Sequence, residues 1–185
     1  ITHMLADETA GRLTISDQKI TVNSAGTITV DTANLLAATT TGVITASITT
    51  TETVDELQTL TGTGNAYTIA IRAGDATNST AAEFNAINNK TTVAVDMGNV
   101  TALTASSLSD LGTLATAITN NEFSNDTGLT TIAVSDNTID ATTLAARIDS
   151  FDTINVGGTT GMTLAAGATI TVSYTHLTLP TTLVV

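Results

Sequence analysis

The chain has 185 residues, a formal net charge of −12, no Cys, no Trp and only 3% aromatic residues. Its five Lys and Arg stand singly at Arg12, Lys19, Arg72, Lys90 and Arg147, so it lacks the basic patch that nucleic acid or an anionic membrane surface requires. No apolar run approaches the roughly 18 residues of a bilayer span, and disulfide and thiolate-metal chemistry are excluded by composition. A mean hydropathy of +0.28 with 12% charged residues argues for a folded rather than a disordered chain. Roughly a quarter of the residues are Thr, and the core falls to Ala, Val, Ile and Leu.

Residues 1–30 read as β-rich coils or hairpins. Leu13-Thr14-Ile15, Ile20-Thr21-Val22 and Ile28-Thr29-Val30 alternate like strands, separated by polar turns. Residues 31–156 then alternate strand and helix signals. β-branched runs lie at 27–30, 43–46, 67–71, 91–95, 131–134 and 153–156. Helix starts follow most of them: Asp31, then Thr53 with Glu56, Thr80 with Glu83, Ser107 with Asp110 (or a start nearer Thr104), and Asp140. The three hydroxyl–acid pairs have capping-box spacing. Short apolar stripes follow, such as Phe84 with Ile87 and Leu108, Leu111, Leu114. Residues 120–129 read as a polar loop and 157–171 as a β-rich end.

Strict alternation implies parallel strands joined by right-handed crossovers. Helix starts every 22 to 33 residues leave little room for long helices. The expected fold is an α/β parallel solenoid of leucine-rich-repeat-like coils, with a compact doubly wound α/β sheet as the alternative.

Two stretches carry resemblances. Residues 171–181, Thr-Val-Ser-Tyr-Thr-His-Leu-Thr-Leu-Pro-Thr, resemble a translated transposase-type sequencing adapter. This implies that 172–185 are an adapter-derived tail and that the sequence came from a metagenomic read. Residues 80–96 and 138–156 resemble repeats of giant Thr/Ala/Asp-rich secreted bacterial surface proteins of adhesin-like type. Their pattern is roughly Ala-Thr-x-Leu-Asn-Ala-Ile-Asp-x-x-Thr-Thr-x-x-Val; Arg147 and Phe151 depart from it, and the Gly-Gly-x-Gly-x-Asp calcium nonapeptide is not present. The resemblance implies a structural segment at the cell surface or outside the cell, with neighbouring repeats, a cell surface or a glycan as partners. The chain also begins without an initiator Met or a signal-type segment, which reads as a piece of a longer protein.

Catalytic signals are weak, and the reading is that the chain is not an enzyme. His3 has no Cys or second nearby His with which to build a zinc site or a triad. No phosphate-binding Gly-Lys motif occurs. Twelve Asp and five Glu supply acid pairs for a glycosidase, but the aromatic platforms usual for sugars are scarce. Calcium is the one cofactor that the residue types suggest, since it takes six to eight oxygen ligands. Candidate clusters are Asp75 with Asn78; Asn121, Glu122, Asn125 and Asp126; and Asp136, Asn137 and Asp140. The same residue types also serve turns and caps. Thr-x-Thr pairs at 27/29, 49/51 and 61/63 raise an ice-binding face as an alternative, provided that they form a regular ladder.

Overall fold

A computed structural model of the chain describes residues 1–23, 26–140, 144, 153–155 and 161–163. It is a mixed α/β structure with parallel strands. Among the described residues there are five α-helices: α1 (Thr2–Thr9), α2 (Val30–Thr39), α3 (Val54–Gln58), α4 (Ala81–Asn88) and α5 (Leu108–Thr119). Among the same described residues, eleven short strands make four small sheets and no closed barrel.

In the first sheet, β1 (Ile20–Thr21) and β2 (Thr27–Ile28) both lie alongside β3 (Ile44–Ile48), which pairs on with β4 (Ala66–Thr68). A second sheet pairs β5 (Val95–Asp96) with β7 (Phe123–Ser124). A third orders β6 (Ala102–Ser106), β8 (Thr131–Val134) and β10 (Thr153–Asn155), with β8 central. A fourth pairs β9 (Thr138–Asp140) with β11 (Gly161–Thr163). Every pairing is parallel. Register partners lie 20 to 29 residues apart, from Thr27 opposite Ser47 to Ala102 opposite Thr131.

The four helices after α1 share one local code. Thr29, Thr53, Thr80 and Ser107 are N-caps, and each hydroxyl accepts a backbone N–H from the first turn. Counting from each cap, the first, fourth and seventh positions point inward. They are Val30, Ala33, Leu36; Val54, Leu57, Leu60; Ala81, Phe84, Ile87; and Leu108, Leu111, Leu114, all buried. A three-residue step keeps one narrow face of a short helix turned to the core. Leu144 is helical and buried, four residues after Asp140, in keeping with the same code. Isolated helices this short are not stable in water, so their order comes from this packing. Burial of each large aliphatic side chain supplies about 1.5–3 kcal/mol.

Several sequence expectations change. The N-terminal strands form no hairpin: β1 and β2 pair with β3 instead of with each other, which delivers Ile28 to the core. Residues 2–9 are helical, with Met4 and Leu5 packed against the core, and residues 13–15 form no strand. The cap of α2 is Thr29, leaving Asp31 in the first turn where its charge suits the helix dipole. Ser107, not Thr104, starts α5, because Thr104 lies inside β6. The boxes at Thr53/Glu56 and Thr80/Glu83 form in full. At Ser107 the Asp110 carboxylate instead accepts from the Ser107 hydroxyl, since Asp is one methylene shorter than Glu. The polar loop 120–129 contains β7, anchored by buried Phe123. The expected helix after Asp140, apart from Leu144, the end segment 157–171, apart from 161–163, and the tail 172–185 lie outside the described residues.

Tyr67 lies beside Ala46 in the β3–β4 register, a large side chain next to a small one, and is fully buried. Its phenol oxygen has no hydrogen-bond partner, and burial raises its pKa. An unpaired buried hydroxyl costs about 1–3 kcal/mol. Tyr67→Phe is therefore expected to leave the fold intact and to raise stability by about 1 kcal/mol in urea unfolding; a loss of stability would reveal a partner for the hydroxyl.

Candidate functional site

The first amide of an α-helix has no acceptor within the helix. In α2 to α5 that amide is reached by a side chain from farther along the chain. Val30 N–H donates to Glu52 Oε1 (3.2 Å), Val54 N–H to Asp75 Oδ2 (2.9 Å), Ala81 N–H to Ser106 Oγ (2.9 Å) and Leu108 N–H to Asp136 Oδ2 (2.7 Å). The donor and acceptor residues are 21 to 28 positions apart. Each helix start is thus capped twice, by its own hydroxyl and by a side chain from farther along the chain.

A second series joins the strand entrances. Thr40 Oγ1 donates to Gln18 O (2.7 Å), Asn65 Oδ1 accepts from Ile44 N–H (2.9 Å), and Thr91 Oγ1 accepts from Tyr67 N–H (3.0 Å) and donates to Tyr67 O (2.7 Å). Thr40, Asn65 and Ser106 are buried, so these bonds form where water does not compete. Gly42 completes the corner at Thr40: a Cβ there would stand 2.2 Å from Gln18 O. A third series runs along the helices. Asn34 Nδ2 donates to Thr59 O (3.1 Å) while its Oδ1 accepts from Thr61 N–H (2.8 Å); Asn85 Nδ2 donates to Asp110 O (3.0 Å).

The candidate calcium residues fall largely into this scheme. Asp136 is the cap of α5. Asp75 caps α3 and also holds Arg72, Oδ2 to Nε at 2.9 Å. Glu122 accepts from the side-chain amides of Asn88 and Asn120. Asp126 opens a 3-10 turn closed by its carbonyl and Leu129 N–H. Asn121 and Asn125 have φ of 59° and 56°, the left-handed turn role open to Asn. Asn137 is exposed and Asp140 ends β9. Among the described residues no three His, Asp or Glu side chains converge as metal ligands. His3 is exposed on α1.

The Thr-x-Thr pairs do not form a ladder. Thr29 caps a helix, Thr49 and Thr51 bond to each other, and Thr61 bonds to Asn34. The columns that do form across the first sheet are Thr21–Thr45–Ala66 and Thr27–Ser47–Thr68, a mixed surface rather than a uniform array.

The capping residues Glu52 and Ser106 were not legible as such in the sequence. Each immediately precedes the next helix's own N-cap, Thr53 or Ser107; a polar residue repeated before the cap was the available signal.

Between α4 and α5 runs an open groove of about 710 Å³. Asn85, Asn88, Asn120, Thr113, Thr116 and Glu122 contribute its polar wall, over Leu108, Gly112 and Ala117. No family model matches the chain, and neither the curated proteins nor the solved structures gave a match.

Two changes test the cross-repeat caps. Ser106→Ala leaves Ala81 N–H buried without an acceptor and is expected to cost about 1–3 kcal/mol in chemical unfolding, whereas Ser109→Ala on the exposed face of α5 should move stability by less than about 0.5 kcal/mol. For Asp75, burial pushes the carboxyl pKa up, but the Arg72 hydrogen bond and the Val54 N–H outweigh it and hold the pKa below the usual value. A lowered folded pKa gives stability that is present above the unfolded value, about pH 4, and lost as pH falls through the folded one. Asp75→Asn should therefore be less stable at pH 7 and lose less on acidification below about pH 4; parallel acid limbs in thermal melts would remove Asp75 as a contributor.

Proposed function

We propose that the chain is a non-enzymatic structural segment, a parallel β/α solenoid whose stacked coils form a stalk or scaffold in a large extracellular, adhesin-like surface protein. Its primary partners are the neighbouring coils of the same chain. The observation that carries this reading is the series of side chains that cap the helix of the preceding repeat. Such bonds make each repeat depend on the next, as in quasi-one-dimensional repeat proteins, where nearest-neighbour interfaces carry the stability. Register partners one repeat apart and the repeated cap-plus-three-apolar code support the same geometry.

The acidic, Thr-rich composition suits a long exposed surface. Thr is a good strand and cap residue and keeps that surface hydrated without charge, while a net charge of −12 discourages chance association. The extracellular setting rests on the resemblance to secreted surface repeats.

The test is excision of one coil. Deleting residues 53–79 joins Glu52 to Thr80, so that a polar residue again precedes an N-cap. The shortened chain should fold and melt cooperatively. Deleting 53–65, half a coil, should abolish the cooperative transition. If both deletions unfold the chain, the segment is one indivisible domain and the scaffold reading fails.

A further inference from the structure

We propose that the groove between α4 and α5 is a binding site for a neutral polyhydroxylated ligand, a saccharide. This goes beyond the scaffold reading and does not depend on it.

The groove opens because the two helices differ in length. α4 has eight residues and α5 twelve, and Asn85 ties them together through Asp110 O. Beyond that tie the last turns of α5 run past the end of α4. The walls there are amides and hydroxyls, with one carboxylate and no Lys or Arg. Lys90 follows α4 by two residues but does not line the groove, and α5 has no basic residue in its last turn. A lining with one carboxylate and no cation disfavours an anionic ligand.

The arrangement around Glu122 suits vicinal hydroxyls. Its carboxylate accepts from Asn88 Nδ2 and from Asn120 Nδ2 at 3.3 Å, so acceptor oxygens and amide donors stand side by side. A hydroxyl is both donor and acceptor. One of a neighbouring pair of hydroxyls can donate to the carboxylate while the other accepts from an amide. Leu108, Gly112 and Ala117 at its base are largely buried, so recognition falls to the polar wall.

Asn85 supplies a second, independent observation. At the corresponding place in the earlier repeat, Asn34 uses both ends of its amide, Nδ2 to Thr59 O and Oδ1 from Thr61 N–H. The partner of Thr61 by position is Gly112, but Gly112 lies inside α5, where its N–H belongs to the helix. Asn85 Oδ1 is accordingly buried with no hydrogen-bond donor. An orphaned acceptor of this kind is costly; it is closed to solvent, so a ligand hydroxyl would supply the missing donor only by parting the two helices.

The test uses the whole chain, labelled with nitrogen-15 and titrated with neutral trisaccharides of glucose, galactose and mannose in turn. At least one should give saturable shifts in the side-chain amides of Asn85, Asn88 and Asn120 and in the backbone of 108–122. Glu122→Gln should weaken that binding about tenfold, the loss of one charge-assisted hydrogen bond. Thr113→Arg, on the exposed side of α5, should block the groove and abolish the shifts with little change in melting temperature. No saturable shift with any of the three sugars would overturn the proposal. So would shifts that survive Thr113→Arg, or a self-associated chain in which a second copy covers α4 and α5.

Discussion

Parallel strands joined through short helices require corners, and at each corner the backbone leaves the hydrogen-bonding pattern of strand or helix. A buried amide that loses its partner there costs about as much as a good core contact provides. The rest of this structure depends on how those amides are met. Val30, Val54, Ala81 and Leu108 find acceptors one repeat away, and Ile44 and Tyr67 do the same at the strand entrances. The buried side chains of Thr40, Asn65 and Ser106 are therefore bonded members of the fold, in contrast to the Tyr67 hydroxyl. Ser79, the remaining one, donates to Asp75 O at 3.4 Å beside the carboxylate that caps α3.

This economy explains the composition. Such a corner needs a short side chain with an oxygen close to the backbone, and Thr, Ser, Asn and Asp are the residues that provide one. The inward positions between short helices and small sheets need residues that fill a narrow space. Tyr67, Phe84 and Phe123 are fitted singly among Ala, Val, Ile and Leu. Carboxylates at first turns and caps suit the helix dipoles, which accounts for much of the acidity without invoking an ion site. Asp75 and Arg72 form the one ion pair with a largely covered carboxylate among the described residues.

The local elements were largely legible in the sequence, because their signals are local. Thr53 with Glu56 and Thr80 with Glu83 announced their helices, and Thr131–Val134 read directly as a strand. The failures share a cause. Thr91 and Thr92 look like strand residues, yet their hydroxyls bond a repeat away, to Tyr67 O and Asn65 O. Asp136 meets the Leu108 N–H and Glu122 the Asn88 amide, partners 28 and 34 residues away that their types alone do not announce. Residues 20–22 and 28–30 look like hairpin strands, yet β3, a coil later, pairs with both of them. Single-residue propensity cannot register a partner one repeat away. The α4–α5 groove was hidden for the same reason, since it arises from the unequal lengths of two helices.

The bonds at the helix starts and strand entrances share a direction, whereas Asn34 and Asn85 reach forward to later backbone groups. Glu52, Asp75, Ser106 and Asp136 each serve an earlier helix, and Thr40, Asn65 and Thr91 each serve an earlier strand. In a chain made amino-terminus first, each of these backbone groups is therefore exposed before the side chain that meets it exists.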